Sequence, residues 1–229
     1  MTHEWIAFSL ILLAIWLAIF LAMPAARKRI LWASLLTAPF GLTEPLFVPE
    51  YWIPPSLFDL ARTTGFDIES IIFSFAFGGI GVALYNLAFQ QRDKSVSKEE
   101  MHSSRHRFHK IAIASPAIIF LALYFSTNLN PIYTSSIAMF AGGIATLLCR
   151  PDLKKNVLAG GILFAGFYFV FFEIINLIFP YFVNVWNFSA ISGIKILGVP
   201  LEEVMFGFTF GMMWSSVYEH IAWRKLIKV

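Results

Sequence analysis

Seven apolar stretches, most of them long enough to cross a bilayer as a helix, dominate this chain. They cover residues 5–23, 30–48, 68–89, 111–126, 132–149, 157–179 and 204–223. A membrane-spanning helix needs about 20 mostly apolar residues. Hydrophobic residues make up 58% of the 229-residue chain and charged residues 14%, and a water-soluble fold cannot bury that much apolar surface. The sequence therefore predicts an all-α polytopic membrane protein with about seven transmembrane helices.

Basic residues fall on one side of the predicted helices. Of the 17 Lys and Arg residues, 15 lie in segments 27–29, 92–110, 150–155 and 224–228, and only Arg62 and Lys195 lie on the other side. Positive loops stay in the cytoplasm, so we expect a cell-membrane protein with its N-terminus outside and its C-terminus inside. The net charge of +3 is then a topology signal, and we expect no nucleic-acid partner.

Residues 90–110 form the one long polar linker between the apolar stretches. His102, His106 and His109 lie in this linker at helical spacing. The basic surroundings favour a solvated face for these side chains over a metal site. We expect no bound metal.

Two segments that lie 133 residues apart share a sequence pattern. Between residues 68 and 86, six of 19 positions match the shifted chain, including Glu69 with Glu202. An aromatic segment precedes each copy, and Trp52 and Trp186 align if one gap is allowed. We predict two parallel three-helix repeats, residues 1–89 and 132–229. A cytoplasmic linker and a linking helix, residues 90–131, join them, and a site lies at the repeat interface.

Five glutamates are predicted to lie in the outer half of the membrane: Glu44, Glu69, Glu173, Glu202 and Glu203. Ionisable groups at membrane depth are costly and mark function, and no Lys or Arg lies within a predicted span to pair with them. A protonated carboxyl group facing an ionised one is the arrangement that acid/base catalysis needs. The structural alternatives are helix caps or interface residues, and an interhelical hydrogen bond for Glu173.

Aromatic side chains follow the same pattern as the repeated glutamates. Phe73, Phe77, Phe206 and Phe210 come at helical spacing after Glu69 and Glu202. Facing inward with Trp52 and Trp186, the rings would line an apolar substrate cavity and stabilise a carbocation. Facing outward, the phenylalanines would contact lipid.

Absent residues exclude or weaken several function classes. No lysine lies in the seventh stretch, so a retinal Schiff base is excluded. No paired or clustered aspartates are present to hold magnesium and a diphosphate, which weakens the case for a prenyltransferase. The chain has no Walker or Gly-x-Ser-x-Gly motif. The single cysteine, Cys149, excludes an internal disulfide.

The segment Pro200-Leu201-Glu202-Glu203-Val204-Met205-Phe206 resembles the Pro-x-Glu-Glu motif of the small integral-membrane lycopene cyclases of bacteria and archaea. That family is built as two related halves, either separate or fused. In this chain the second half matches the motif well. The first half departs from it, with Asp67 in place of proline and Ser70 in place of the second glutamate.

The resemblance implies cyclisation of a linear carotene end group without net redox change. A proton adds to the terminal alkene, the cation closes a ring, and a proton leaves. Glu202 is then the expected acid, with Glu203, Glu173 or Glu69 as the base, and Glu44 is a further candidate. No cofactor is expected. The expected partners are a lipid-soluble polyene or isoprenoid substrate, membrane lipid and a second copy of the chain.

Two alternatives stay open at this point. One is a cyclase that acts on another isoprenoid by the same acid/base chemistry. The other is a non-catalytic membrane subunit or carotenoid-binding protein, in which the carboxylates would only tie helices together.

The charge asymmetry predicts the sidedness of the termini. A labelling tag placed after Val229 should be protected from impermeant reagents in intact cells, and a tag placed before Met1 should be accessible, because positive loops stay inside. The reverse labelling pattern would contradict the predicted orientation.

Overall fold

The computed structural model describes residues 3–228, so Met1, Thr2 and Val229 lie outside the described chain. The predicted sidedness of the two ends stays a prediction. Ten α-helices occur in the described part. They are α1 Glu4–Ala22, α2 Arg27–Thr37, α3 Leu60–Thr64, α4 Ile68–Phe89, α5 Lys98–Met101, α6 His109–Ser126, α7 Pro131–Cys149, α8 Lys154–Ile178, α9 Leu201–Trp214 and α10 Val217–Ile221.

Five helical segments of the described chain are long and apolar enough to cross a membrane. They are Glu4–Ala22, Ile68–Phe89, His109–Ser126, Pro131–Cys149 and Pro151–Ile178, the last being α8 with the 3-10 turn before it. Each coincides with one of the predicted stretches. The predicted all-α polytopic membrane protein is confirmed.

The predicted count of seven spanning helices is not confirmed, because two stretches are interrupted. In residues 30–48 the α-helix ends at Thr37 and continues as a 3-10 helix, Ala38–Leu46. Pro39 and Pro45 account for this change, since proline lacks the N–H that an α-helix needs and disfavours helix in the residue before it.

The seventh stretch breaks at Ser215 and Ser216, between α9 and α10. The Asn156 side chain donates to the Ser215 carbonyl at 3.1 Å, and the Ser215 hydroxyl donates to the Asn156 carbonyl, also at 3.1 Å. This reciprocal pair takes the place of a helical partner for the Ser215 carbonyl, so the helix is interrupted there.

Two short antiparallel ribbons accompany the helices. Strand β1, Gln91–Ser95, pairs with β4, Arg224–Lys228, and strand β2, Lys195–Ile196, pairs with β3, Val199–Pro200. The ribbon of β1 and β4 joins the polar linker to the C-terminal segment. The all-α prediction did not include these ribbons.

The two helices that contain the repeated segments begin at equivalent positions. Helix α4 starts at Ile68 and α9 at Leu201, the same offset of 133 residues that relates the two sequence segments. The predicted division of the chain at residues 89 and 131 stays a prediction.

The chain folds into two compact units, and each contains residues from both predicted repeats. Unit 1 comprises residues 1–80, 130–132 and 167–204, and unit 2 comprises residues 81–129, 133–166 and 205–229. Unit 1 contains the loops 49–67 and 180–200, which are predicted to face outside. Unit 2 contains the polar linker and its ribbon, which are predicted to be cytoplasmic.

The core of unit 2 corrects the expectation of a solvated histidine face. His106 and His109 are buried, because the Trp223 ring stacks on His109 at 4.0 Å and contacts His106 edge-on at 5.1 Å. Of the three linker histidines only His102 is exposed, and its Nδ1 lies 2.7 Å from the Lys98 carbonyl.

Close helix packing in unit 1 depends on glycine. A β-carbon at Gly79 of α4 would come within 2.6 Å of Trp16 Cδ1 and closer still to Ser34 Oγ. Trp16 and Ser34 are themselves hydrogen-bonded, Nε1 to Oγ at 2.9 Å. The small residue therefore lets α4 approach both α1 and α2.

Gly79→Ala should lower the thermal midpoint of the detergent-solubilised protein, because overpacking a well-packed site costs about 1–3 kcal/mol. Gly166→Ala is the matched control, since no atom lies within 4 Å of a β-carbon there and alanine is favoured over glycine within a helix by about 1 kcal/mol. Equal midpoints for the two variants would contradict this account of the packing.

Candidate active site

Glu203 is the centre of a buried hydrogen-bonded cluster in unit 1. It lies in the first turn of α9 and is 5% exposed. Its Oε1 accepts from the Tyr51 hydroxyl and from Trp186 Nε1 at 2.9 Å, and its Oε2 accepts from the Tyr168 hydroxyl at 2.7 Å. Three donors on one buried carboxyl group replace the hydration that burial removes.

These donors meet because two aromatic loops pair with each other. Trp52 and Trp186 form an antiparallel bridge. On either side of the bridge, Ile53 N donates to the Val185 carbonyl at 2.9 Å and Asn187 N donates to the Tyr51 carbonyl at 2.8 Å. The two aromatic segments that the sequence predicts as equivalent are therefore bonded to each other.

A second carboxyl group lies on the same aromatic pair. Trp52 Nε1 donates to Glu44 Oε1 at 2.6 Å, and Glu44 is 9% exposed. The Trp52 and Trp186 rings lie 5.6 Å apart. Two adjacent indoles thus donate to two different glutamates, and the structure brings Glu44, Glu203, Trp52 and Trp186 together.

Tyr51 keeps its proton in this environment. Burial, and then the negative charge of Glu203, raise the pKa of Tyr51 well above the usual value for tyrosine. The phenol therefore stays neutral at physiological pH and can donate to Glu203.

Asp67 is a third carboxyl group in the cluster, and the sequence did not single it out as a site residue. Its Oδ1 accepts from Trp5 Nε1 at 3.0 Å and from the Ser70 backbone N–H at 2.5 Å, and its Oδ2 accepts from the Ser70 hydroxyl at 3.0 Å. Asp67 thus caps α4. The first repeat uses Asp67 and Ser70 as a cap where the second has proline and glutamate.

Glu69 and Glu202 occupy equivalent positions and make equivalent bonds. Glu69 Oε1 accepts from Leu57 N at 2.7 Å, and Glu202 Oε1 accepts from Ser192 N at 2.9 Å. Each is in the first turn of its helix and binds the backbone of the loop before it. Both are buried, and each holds the loop that precedes its own helix.

Glu173 lies on α8 and is half-buried. Among the described residues its Oε1 has no hydrogen-bond partner, and the same holds for Asn176 Oδ1 one turn further on. The predicted role of Glu173 stays a prediction.

The predicted aromatic lining divides between the two units. In unit 1, Phe73 and Phe77 stack at 4.7 Å, and Phe77 meets Tyr168 edge-on at 5.1 Å. In unit 2, Phe210 lies 6.2 Å from Phe206 and 5.0 Å from Phe164. Phe73 and Phe77 therefore belong to the Glu203 cluster, while Phe206 and Phe210 lie in unit 2.

An open depression of about 400 Å³ lies at the surface of unit 1. Trp186 is one of its lining residues and also donates to Glu203. The other lining residues are Pro49, Glu50, Ile53, Asn184, Val185 and Asn187.

The cluster has the composition of an acid/base site without a metal-binding geometry. Among the described residues no Lys or Arg pairs with Glu44 or Glu203. A buried pair of carboxyl groups without a cation is the setting in which one group can hold a proton beside an ionised neighbour.

Comparison with known proteins bears on the second part of the chain. Residues 130–221 match the family model described as lycopene cyclase. This part of the chain is therefore similar to lycopene cyclases. The resemblance predicted from the Pro-Leu-Glu-Glu segment is confirmed, and a lycopene cyclase-like function is supported. No curated protein and no solved structure matches the chain.

The matched residues contain only part of the cluster. Tyr168, Trp186 and Glu203 lie inside the matched residues, whereas Glu44 and Tyr51 precede them. Tyr51 is next to the predicted Trp52, so its place could have been found from the repeated aromatic segment. No sequence pattern singles out Tyr168, whose role depends on the packing of α8 against the loops.

Proposed function

We propose that this protein is a lycopene cyclase that closes carotene end groups by proton transfer between buried carboxyl groups. The observation that carries the proposal is the Glu203 carboxyl group with its three donors, next to Glu44 on a shared tryptophan pair. Cyclisation needs an acid, a base and a dry aromatic surround, and the carboxyl groups and rings of this cluster are the residue types that could supply them.

Glu44 is the proposed acid and Glu203 the proposed anion. Glu203 accepts bonds from two phenols and an indole, so negative charge is better stabilised there than on Glu44. Glu44 would give its proton to a terminal alkene carbon of the substrate. Ring closure forms one carbon–carbon bond, loss of a proton from the ring to a carboxylate restores a double bond, and the molecular formula is unchanged.

The surrounding rings would stabilise the cation between these steps. Trp52 with Trp186, and Phe73 with Phe77, supply two ring pairs to the cluster, and cation–π attraction in a desolvated site is worth about 2 kcal/mol or more per contact. They also exclude water, which would otherwise capture the cation as an alcohol.

Glu202 and Glu69 are proposed as positioning residues. Each holds a loop by accepting a backbone N–H, and the Glu202 loop leads from Trp186 to α9. This replaces the expectation that Glu202 is the acid. The acid/base pair moves one residue along the motif, to Glu203, and gains Glu44 from the first repeat.

A non-catalytic carotenoid-binding subunit is the second candidate. One observation favours it: in the first repeat, Ser70 stands where the second glutamate of the motif would be, and it is bonded to Asp67 as part of a helix cap. The two candidates differ in whether substrate is converted.

Membranes that contain the protein should convert lycopene to a cyclic isomer of unchanged mass without added nicotinamide, because the reaction needs only a proton cycle. Expression in a lycopene-accumulating host, followed by pigment separation and mass analysis, measures this. In heavy water each new ring should retain one solvent deuterium. Unchanged lycopene beside an active reference cyclase in the same host would favour the binding subunit or another isoprenoid substrate.

Glu203→Gln and Glu44→Gln should accumulate in the membrane but lose turnover by about 10²–10⁴-fold, since a positioned acid or base contributes that much. Glu202→Gln and Glu69→Gln are matched controls. Each keeps an oxygen that can accept the loop N–H, so most of the activity should remain. Full activity in Glu203→Gln would contradict the assignment, and a selective loss in Glu202→Gln would return the acid to that residue.

A further inference from the structure

Unit 2 contains a buried cluster of metal-ligating side chains that carotene chemistry does not use. His106, His109 and Cys149 are 8%, 9% and 6% exposed. One nitrogen from each histidine and the cysteine sulfur lie within 4.8 Å of one another. The residues come from the end of the polar linker, the start of α6 and the end of α7.

The two sulfur–nitrogen distances in this cluster match those of a tetrahedral metal site. Cys149 Sγ lies 3.7 Å from His106 Nδ1 and 3.5 Å from His109 Nδ1. In tetrahedral zinc sites the Zn–S bond is about 2.3 Å and the Zn–N bond about 2.0–2.1 Å, so a ligand sulfur and a ligand nitrogen lie roughly 3.5–3.6 Å apart. Both sulfur–nitrogen distances are within about 0.2 Å of that ligand separation.

Hydrogen bonding alone gives these side chains weaker partners. A thiol has one proton and can donate it to one imidazole, and sulfur is a poor acceptor from the other. A metal ion would accept the lone pairs of both Nδ1 atoms and of the thiolate at once. The convergence of two imidazole nitrogens on one sulfur therefore fits metal ligation.

A further buried nitrogen lies next to the cluster. His220 is 4% exposed, and its ring meets the His109 ring edge-on at 4.7 Å. Its Nδ1 lies 3.2 Å from the Thr146 hydroxyl, whereas its Nε2 has no hydrogen-bond partner among the described residues. Buried imidazole nitrogens without a partner are costly, but His220 is not one of the three residues whose ligand atoms converge.

The nearby positive charge is already neutralised. Arg150, next to Cys149 in sequence, binds Asp152 through Nε at 2.9 Å and through one terminal nitrogen at 2.7 Å. Its guanidinium also donates to the Glu219 and Arg224 carbonyls. Arg150 is therefore already paired with a carboxylate. A cysteine thiolate would offset part of the charge of a divalent ion.

We propose that His106, His109 and Cys149 bind one zinc-class divalent cation. Two imidazoles and one thiolate suit a borderline-soft ion and disfavour magnesium or calcium, which prefer oxygen ligands. The ion would fasten the polar linker to the ends of α6 and α7, at a site separate from the Glu44 and Glu203 cluster.

Titration of the purified full-length protein with Co²⁺ tests the site directly. One equivalent of Co²⁺ should produce a thiolate charge-transfer band and the visible bands of tetrahedral cobalt, and Zn²⁺ should remove both. Because Cys149 is the only cysteine, the charge-transfer band reports on this residue alone. Absence of the band at stoichiometric Co²⁺ would overturn the proposal.

Variants locate the site. Cys149→Ser should lose the charge-transfer band, and His106→Gln and His109→Gln should weaken Co²⁺ binding by more than about 100-fold, at least as much as the loss of outer ligands costs in known sites. His102→Gln is the matched control, since His102 lies in the same linker but is exposed. Equal weakening in the control, or unchanged Co²⁺ affinity in Cys149→Ser, would overturn the proposal.

A measurement on the unsubstituted chain guards against variants that fail to fold. Zn²⁺ should abolish alkylation of Cys149 by a small thiol reagent, because the metal occupies the sulfur lone pair. Chelation should restore the reaction. An alkylation rate that does not depend on Zn²⁺ would contradict ligation by this sulfur.

Discussion

A carboxyl group can be buried in an apolar protein only where hydrogen-bond donors replace the lost water. Glu203 has no cationic partner in the described chain, and its donors come from three separate segments: the loop with Tyr51, helix α8 with Tyr168, and the loop with Trp186. The positions of both loops and of α8 are therefore tied to one side chain. Loss of the Tyr168 hydroxyl would leave the buried Oε2 unsatisfied, at a cost of about 1–3 kcal/mol.

The same constraint explains why the two aromatic loops pair. Trp52 and Trp186 form a backbone bridge and lie ring against ring, yet their indole nitrogens serve different glutamates. Trp5 then meets Trp52 edge-on at 4.8 Å and also bonds Asp67, which brings α1 to the cluster. Aromatic packing and carboxyl burial are thus one arrangement, in which rings supply both the apolar surround and the donors.

Periodic and compositional features could be predicted from the sequence, and tertiary contacts could not. The long apolar runs gave five helices to within a few residues, and the 133-residue offset gave the start of both α4 and α9. The two interrupted stretches were missed because hydropathy does not report the helical hydrogen bonds that proline removes near Pro39, or the contact of Ser215 with Asn156, which lies 59 residues away. Glu44, Glu203 and both tryptophans were found as candidates, but the roles of Tyr168 and Asp67, and the burial of His106 and His109, depend on contacts between residues distant in sequence.

The bond from Tyr51 to Glu203 joins residues 152 positions apart, and Trp52 and Trp186 are nearly as distant. The two glutamates on the tryptophan pair therefore need both repeats: the first contributes Glu44 and a phenol, and the second contributes Glu203 and an indole. If a gene for this protein were divided within residues 90–108, neither product would own a complete site. Such halves would have to be produced together and in equal amounts, so that fusion into one polypeptide fixes their stoichiometry.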